Sequence, residues 1–113
     1  MIKQLAPTKP KPPSNLSPEA ALLWQSLTAE YDITDSGGIL LLNVAMEAFC
    51  RMREAQKLLA EFGPITTDAK GLMKPSPAIG IERDSRQGLL GAMRQLNLDI
   101  LPLRDRIGRP GGS

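Results

Sequence analysis

Apolar positions recur along the chain in three blocks of helical period, separated by stretches rich in proline and glycine. The first block holds Ala20, Leu23, Trp24, Leu27 and Tyr31, at i, i+3, i+4, i+7 and i+11, which is one face of an amphipathic helix. Ser17-Pro18-Glu19 stands before it. Ser17 can cap, Pro18 suits the first helical position, and Glu19 favours the positive end of the dipole. The spacing predicts a helix over 18–31. Trp24 on its apolar face reads as a core anchor; the alternative is a stacking platform for nucleic acid, although such aromatics usually come in sets.

After the connection Asp32-Ile33-Thr34-Asp35, in which Thr34 or Asp35 can cap, the second block runs unbroken from Ile39 to Phe62. Gly37 and Gly38 weaken its first turn. Leu40, Leu41, Val44, Ala45, Ala48, Phe49, Met52, Ala55, Leu58, Leu59 and Phe62 are apolar, with Ile39, Leu42, Met46 and Cys50 beside them. A helix apolar most of the way round must be covered on several sides. Two short partner helices are too few by this count. A subunit interface is therefore expected, through Leu41, Val44, Ala48, Phe49, Met52 and Leu59. The alternative is a central core helix within a three-helix monomer. Glu47, Arg51, Arg53, Glu54 and Lys57 gather in the second half, where a solvent face is expected.

Gly63-Pro64 stops this helix, as glycine at the cap followed by proline predicts. Ile65-Thr66-Thr67, the turn Asp68-Ala69-Lys70-Gly71 and Leu72-Met73-Lys74 fit two very short strands about a glycine turn, closed by Pro75 and Pro77. A hairpin this short is marginal in water and must lean on helices or on a neighbouring subunit. Ser76-Pro77 opens a third helix to about Leu96, with Ile79, Leu89, Leu90, Met93 and Leu96 apolar. Arg83 and Arg86 lie one turn apart on it and form a small basic strip, among acids that usually turn such a strip into a salt-bridged face. Leu98, Ile100 and Leu103 are expected to dock back. The predicted fold is mainly α: three helices with a long central helix, a small β-hairpin between the second and third, and an oligomeric assembly. A Pro/Lys-rich flexible arm takes residues 1–15. A helical oligomerisation domain takes 16–100, with its hairpin at about 64–75, and a basic flexible tail takes 101–113.

Composition narrows the chemistry. The chain has 113 residues, enough for one domain, and only four aromatic side chains, so its core must be mostly Leu, Ile, Met and Ala. There is no histidine, and Cys50 is the single cysteine. An ordinary zinc site and the Ser-His and Cys-His nucleophile pairs are therefore excluded, and an internal disulfide cannot form. The acids are scattered along helices, and no G-x-x-x-x-G-K-[ST] loop occurs. No catalytic residue, metal, cofactor or small-molecule substrate is expected. The start MIKQLAPTKPKPP has no apolar signal segment, and the run from Ile39 to Met46 is too short to span a bilayer, so a soluble cytoplasmic protein is expected.

Formal charge is +2, but its distribution is uneven. Residues 1–13 carry +3, residues 101–113 carry +2, and the middle carries −3. An acidic body with two basic ends is compatible with contact to a polyanion, and equally with ordinary solubilising termini.

The order of these features resembles the small subunit of tailed-phage terminase, in the branch with a short helical protein of this layout. The residues that carry it are "LSPEAALLWQSLTAEYDIT", the long helix ending in "LLAEFGPI", the hairpin "KGLMKPSPAI" and the close "LNLDILPLRDR", together spanning roughly residues 12–106. The resemblance implies a ring of subunits, with the hairpin helping to pack it. It also implies binding to double-stranded phage DNA at the packaging start, and regulation of a large subunit that holds the ATPase and nuclease. The host cytoplasm is the implied location. On the residues, Lys3, Lys9, Lys11, Arg104, Arg106 and Arg109 are the expected phosphate contacts, with Arg83 and Arg86 as second choices. The chain departs from a DNA reader in one respect: it has no helix-turn-helix with a basic recognition helix. Two competing expectations stand beside this one: an oligomeric helical adaptor that docks an enzyme without touching DNA, and a monomeric helical regulator.

Overall fold

The structure, a computed structural model, describes residues 10–98. Within them the order is α1 (Pro18–Tyr31), α2 (Ser36–Phe62), β1 (Ile65–Thr67), β2 (Met73–Pro75) and α3 (Pro77–Gln95). This is the mainly helical fold with an interposed hairpin that the apolar pattern predicts.

Each helix starts where a side chain satisfies its free amides. Ser17 Oγ accepts from Ala20 N at 3.2 Å, Asp35 Oδ2 from Gly38 N at 2.8 Å, and Ser76 Oγ from Ala78 N at 3.1 Å. The Asp35 cap moves the start of α2 to Ser36, one turn before the unbroken apolar run. Gly38 has a reason to be there. A Cβ on it would lie 2.8 Å from Asp35 Oδ1 and 2.9 Å from Ile33 Cγ2, so a side chain would break the cap.

Two helices end in the same way. Asp32 (φ +53°) and Asn97 (φ +60°) take the left-handed conformation, and the next residue bonds back: Ile33 N to Thr28 O at 3.1 Å and Leu98 N to Met93 O at 3.2 Å. This six-to-one closure turns the chain so that a following apolar residue can cover the helix end. Ile33 and Leu98 are both buried. Leu98 docks back as expected; Ile100 and Leu103 lie outside the described residues.

α2 lies between the other two helices. On one side α1 runs antiparallel to it, joined by Trp24–Asn43, Ser17–Cys50 and Glu19–Arg53 contacts. On the other, α3 is antiparallel too: a Cβ on Gly88 would lie 4.0 Å from that of Ala48, and Gln56 reaches Glu82. Small residues line this second interface. Ala48 and Ala55 on α2 are buried, as are Ala78, Ser85 and Ala92 on α3, which recur every seven residues. Small side chains let the backbones approach closely. The buried face of α3 therefore differs from the expected one. Met93 is buried, Leu89 and Leu96 are half-buried, and Ile79 and Leu90 face outward.

The hairpin pairs Ile65 with Pro75, Thr66 with Lys74 and Thr67 with Met73. Pro75 belongs to the second strand instead of terminating it. In a two-stranded ladder the missing proline donor can face outward at no cost. Asp68 organises the turn by accepting from Lys70 N at 2.8 Å and Leu72 N at 3.0 Å, and Gly71 supplies φ +83°.

Candidate functional site

The expected site falls into two parts, a set of cations and an apolar interface. Of the expected phosphate contacts, Lys3, Lys9, Arg104, Arg106 and Arg109 lie outside the described residues. Lys11 is exposed. The arm is not free over its whole length, since Pro12 and Pro13 are half-buried and Asn15 Nδ2 donates to Glu47 at 3.4 Å. Lys11 is thus held beside the helical body.

Arg83 and Arg86 are exposed but occupied. Arg83 Nε donates to Asp84 Oδ1 at 3.1 Å. Arg86 grips Glu82 with two bonds, Nη2 to Oε1 at 2.6 Å and Nε to Oε2 at 3.2 Å. The donated hydrogen bond from Arg86, then that from Gln56, hold the Glu82 carboxyl below its ordinary range, and the same pairing raises Arg86. The two arginines make a salt-bridged face more than an open basic strip. A phosphate would have to displace a bidentate carboxylate from Arg86. Lys57, Lys70 and Lys74 are exposed cations that make no ion pair among the described residues, and two of them flank the hairpin turn. The sequence reading passed over Lys70 and Lys74, although lysines beside a glycine turn are a legible sign of an exposed hairpin.

A polar chain ties the three helices across one face. Glu19 pairs with Arg53 at 3.0 Å, Arg53 donates to Gln56, and Gln56 donates to Glu82, which Arg86 holds. The Arg53 guanidinium also sits 5.2 Å from the Phe49 ring centroid, a cation–π arrangement. This is structural ion pairing at an exposed surface. Among the described residues no group of three His, Cys, Asp or Glu could hold a metal ion, and no helix is long and apolar enough to cross a membrane.

The expected interface needs correction. Ala48, Phe49 and Met52 are buried within the chain, where α1 and α3 cover them. Leu41 and Leu59 are half-buried, and Val44 is exposed. The close antiparallel fit with α3 covers more of α2 than its apolar count suggested. Trp24, 1% exposed, is a core anchor and unavailable for stacking on a base.

Exposed apolar surface gathers instead at the hairpin end. Phe62 is 70% exposed, and Leu72 and Met73 on the hairpin are 63% and 72% exposed. Leu58, Phe62, Ile65, Pro77, Ala78 and Ile81 line an open groove of about 460 Å³ there. Such a cluster is more contiguous than apolar side chains scattered singly over a surface. Sequence periodicity assigned Phe62 and Leu58 to the helix but gave no sign that the hairpin would leave them uncovered.

No family model, no curated protein and no solved structure matches this chain.

Proposed function

We propose that the chain is a terminase small subunit: a ring-forming DNA-recognition and regulatory component of a viral genome packaging motor. In this reading it recruits and regulates a large subunit that holds the ATPase and nuclease, and it does no chemistry itself. Its partners are double-stranded phage DNA, the large subunit and further copies of itself, inside the host cytoplasm. The observation that carries the reading is the architecture. A long central helix passes through a short hairpin into the last helix, the layout that the resemblance implies, and that junction leaves Phe62, Leu72 and Met73 exposed. Apolar surface there favours neighbours. Copies in a ring would multiply the weak phosphate contacts of Lys11 and the terminal basic residues.

The adaptor reading is favoured by a different observation, the pairing of Arg83 and Arg86 with Asp84 and Glu82. The discriminating experiment first takes the mass of the purified protein by light scattering. It then measures DNA retention after Lys9, Lys11, Arg104, Arg106 and Arg109 are changed to Glu. An assembly that keeps its mass and loses DNA supports the terminase reading. A parent protein that retains no DNA removes direct DNA binding and leaves the adaptor, whereas undiminished retention by the variant moves the phosphate contacts to other cations.

A further inference from the structure

The groove at the hairpin end has no occupant within the described residues, and its lining is that of a docking site. Leu58 and Phe62 on α2, Ile65 on β1 and Ile81 on α3 present aliphatic and aromatic surface about half exposed or more. At about 460 Å³ it has the size of a site that encloses a few side chains. We infer that it receives residues 99–103 of a second copy of this chain, Asp99-Ile100-Leu101-Pro102-Leu103.

The chemistry of that segment suits the groove. Four of its five residues are apolar, and Pro102 both lacks an amide donor and biases Leu101 away from helix. Such a segment binds through side chains laid along an extended backbone. Asp99 at one end and Arg104 just beyond the other would find both signs of charge beside the groove, Lys74 paired with the lining residue Thr66 and Glu61 next to Phe62.

Reach decides whose segment it is. The groove lies at the first turns of α3, at Pro77, Ala78 and Ile81, whereas Leu98 is packed into the core at the opposite end of that helix. Leu98 N bonds back to Met93 O, and fifteen helical positions separate Met93 from Ala78, about 22 Å at the α-helical rise. Leu103 lies five residues beyond Leu98 and extends at most about 17 Å from it. Ile100, Leu101 and Leu103 therefore cannot reach along their own α3 to Pro77 and Ala78 at the head of the groove, but can fill a neighbour's. One groove and one segment per copy make a head-to-tail contact, the type that closes into rings or runs on as a filament. The inference rests on the assembly reading above and supplies its junction. It also sets Arg104 and Arg106 at the border between copies.

The test uses two full-length variants, Leu101→Asp with Leu103→Asp in one and Ile81→Asp in the other. Ile81 is 47% exposed, so its replacement spares the core, and thermal melting checks the fold of both. Light scattering is expected to show an assembly for the parent chain and single copies of 12.3 kDa for each variant. An equimolar mixture of the two is expected to give a dimer, because one intact groove then meets one intact segment. Either variant keeping the parent mass overturns the inference, and so does a mixture that stays monomeric. If the segment variant stays assembled and still retains DNA, this junction is wrong while the proposed function stands. If both variants fall apart as expected but the parent assembly retains no DNA, the junction stands and the DNA role fails. A monomeric parent chain overturns both.

Discussion

The indole Nε1 of Trp24 donates a 2.7 Å hydrogen bond to Oδ1 of Asn43, and this bond pins α1 to the middle helix. Trp24 is fully enclosed, so its N–H has no water to fall back on. Asn43→Ala leaves that donor unsatisfied and is expected to cost about 1–3 kcal/mol. The double-mutant cycle with Trp24→Phe, which removes the donor, is expected to show a coupling of about 0.5–3 kcal/mol in urea unfolding. Strict additivity of the two changes would mean that the bond carries no net stability.

Asp32 and Asn97 occupy left-handed positions where glycine is easier. Asp32 is also an acid at the negative end of a helix dipole, which is unfavourable. Asp32→Gly is expected to stabilise by about 1 kcal/mol, and Asn97→Gly by less, because Asn tolerates this conformation best. Gly63 at φ +81° is the reverse case. There Gly63→Ala is expected to destabilise by about 1–2 kcal/mol. Melting temperatures of the three single variants check the order; a Gly63→Ala protein as stable as the parent would show that the α2 terminus readjusts freely.

Gly88 faces Ala48 across the α2–α3 pair and is exposed on its other side. An added Cβ meets its neighbour at 4.0 Å, an ordinary contact, so Gly88→Ala is expected to gain about 0.5–1 kcal/mol from helix propensity. Because Gly88 is exposed, Gly88→Leu has room to turn outward and is expected to gain a similar amount. Chemical denaturation midpoints that rise for both variants would establish the open side of Gly88; a fall for Gly88→Leu would show that its side chain crowds Ala48.

Those small residues also show where the sequence was legible and where it was not. The pairs Ser17-Pro18 and Ser76-Pro77 and the Gly63-Pro64 stop marked helix ends through local chemistry, and the structure places the ends there. The faces were harder. Ala78, Ser85 and Ala92 carry little hydropathy, so periodicity favoured Ile79 and Leu90, which turn outward. For the same reason Ala48, Phe49 and Met52 read as surplus surface, because the close cover supplied by α3 has no hydropathic signature. The grip of Arg86 on Glu82 was legible as an i,i+4 pair of opposite charge. The groove was not, since it exists only where α2, β1 and the first turn of α3 meet.

Glu82 gives a pH dependence of defined sign. Its carboxyl titrates below its ordinary value because Arg86 and Gln56 hydrogen-bond the charged form. A group depressed in the folded state adds stability that is fully present above the unfolded pKa and lost as pH falls through the folded one. Melting temperature is therefore expected to drop on acidification below about pH 4, the range in which an unfolded glutamate titrates. In Glu82→Gln that part of the drop should vanish. Because the pair is exposed, added salt should shrink the difference between the two proteins. Identical acid profiles for both would place the pH sensitivity elsewhere.

Lys11 and Arg86 make contrasting predictions for DNA binding. Each phosphate neutralised by a protein cation lowers the slope of log K against log salt by about 0.9 on duplex DNA. Lys11 is exposed and makes no ion pair among the described residues, so it can meet a phosphate directly. Lys11→Gln is expected to reduce the slope by about 0.9 for every copy in contact with the duplex, and to weaken binding alike on all sequences. Arg86 is held by two bonds to Glu82, so Arg86→Gln should leave the slope unchanged and lower only thermal stability. Titrations across a salt series, at fixed assembly mass, separate the two. An unchanged slope for Lys11→Gln, or a reduced one for Arg86→Gln, would move the phosphate-binding surface from the arm to the α3 face, with Glu82 displaced when DNA arrives.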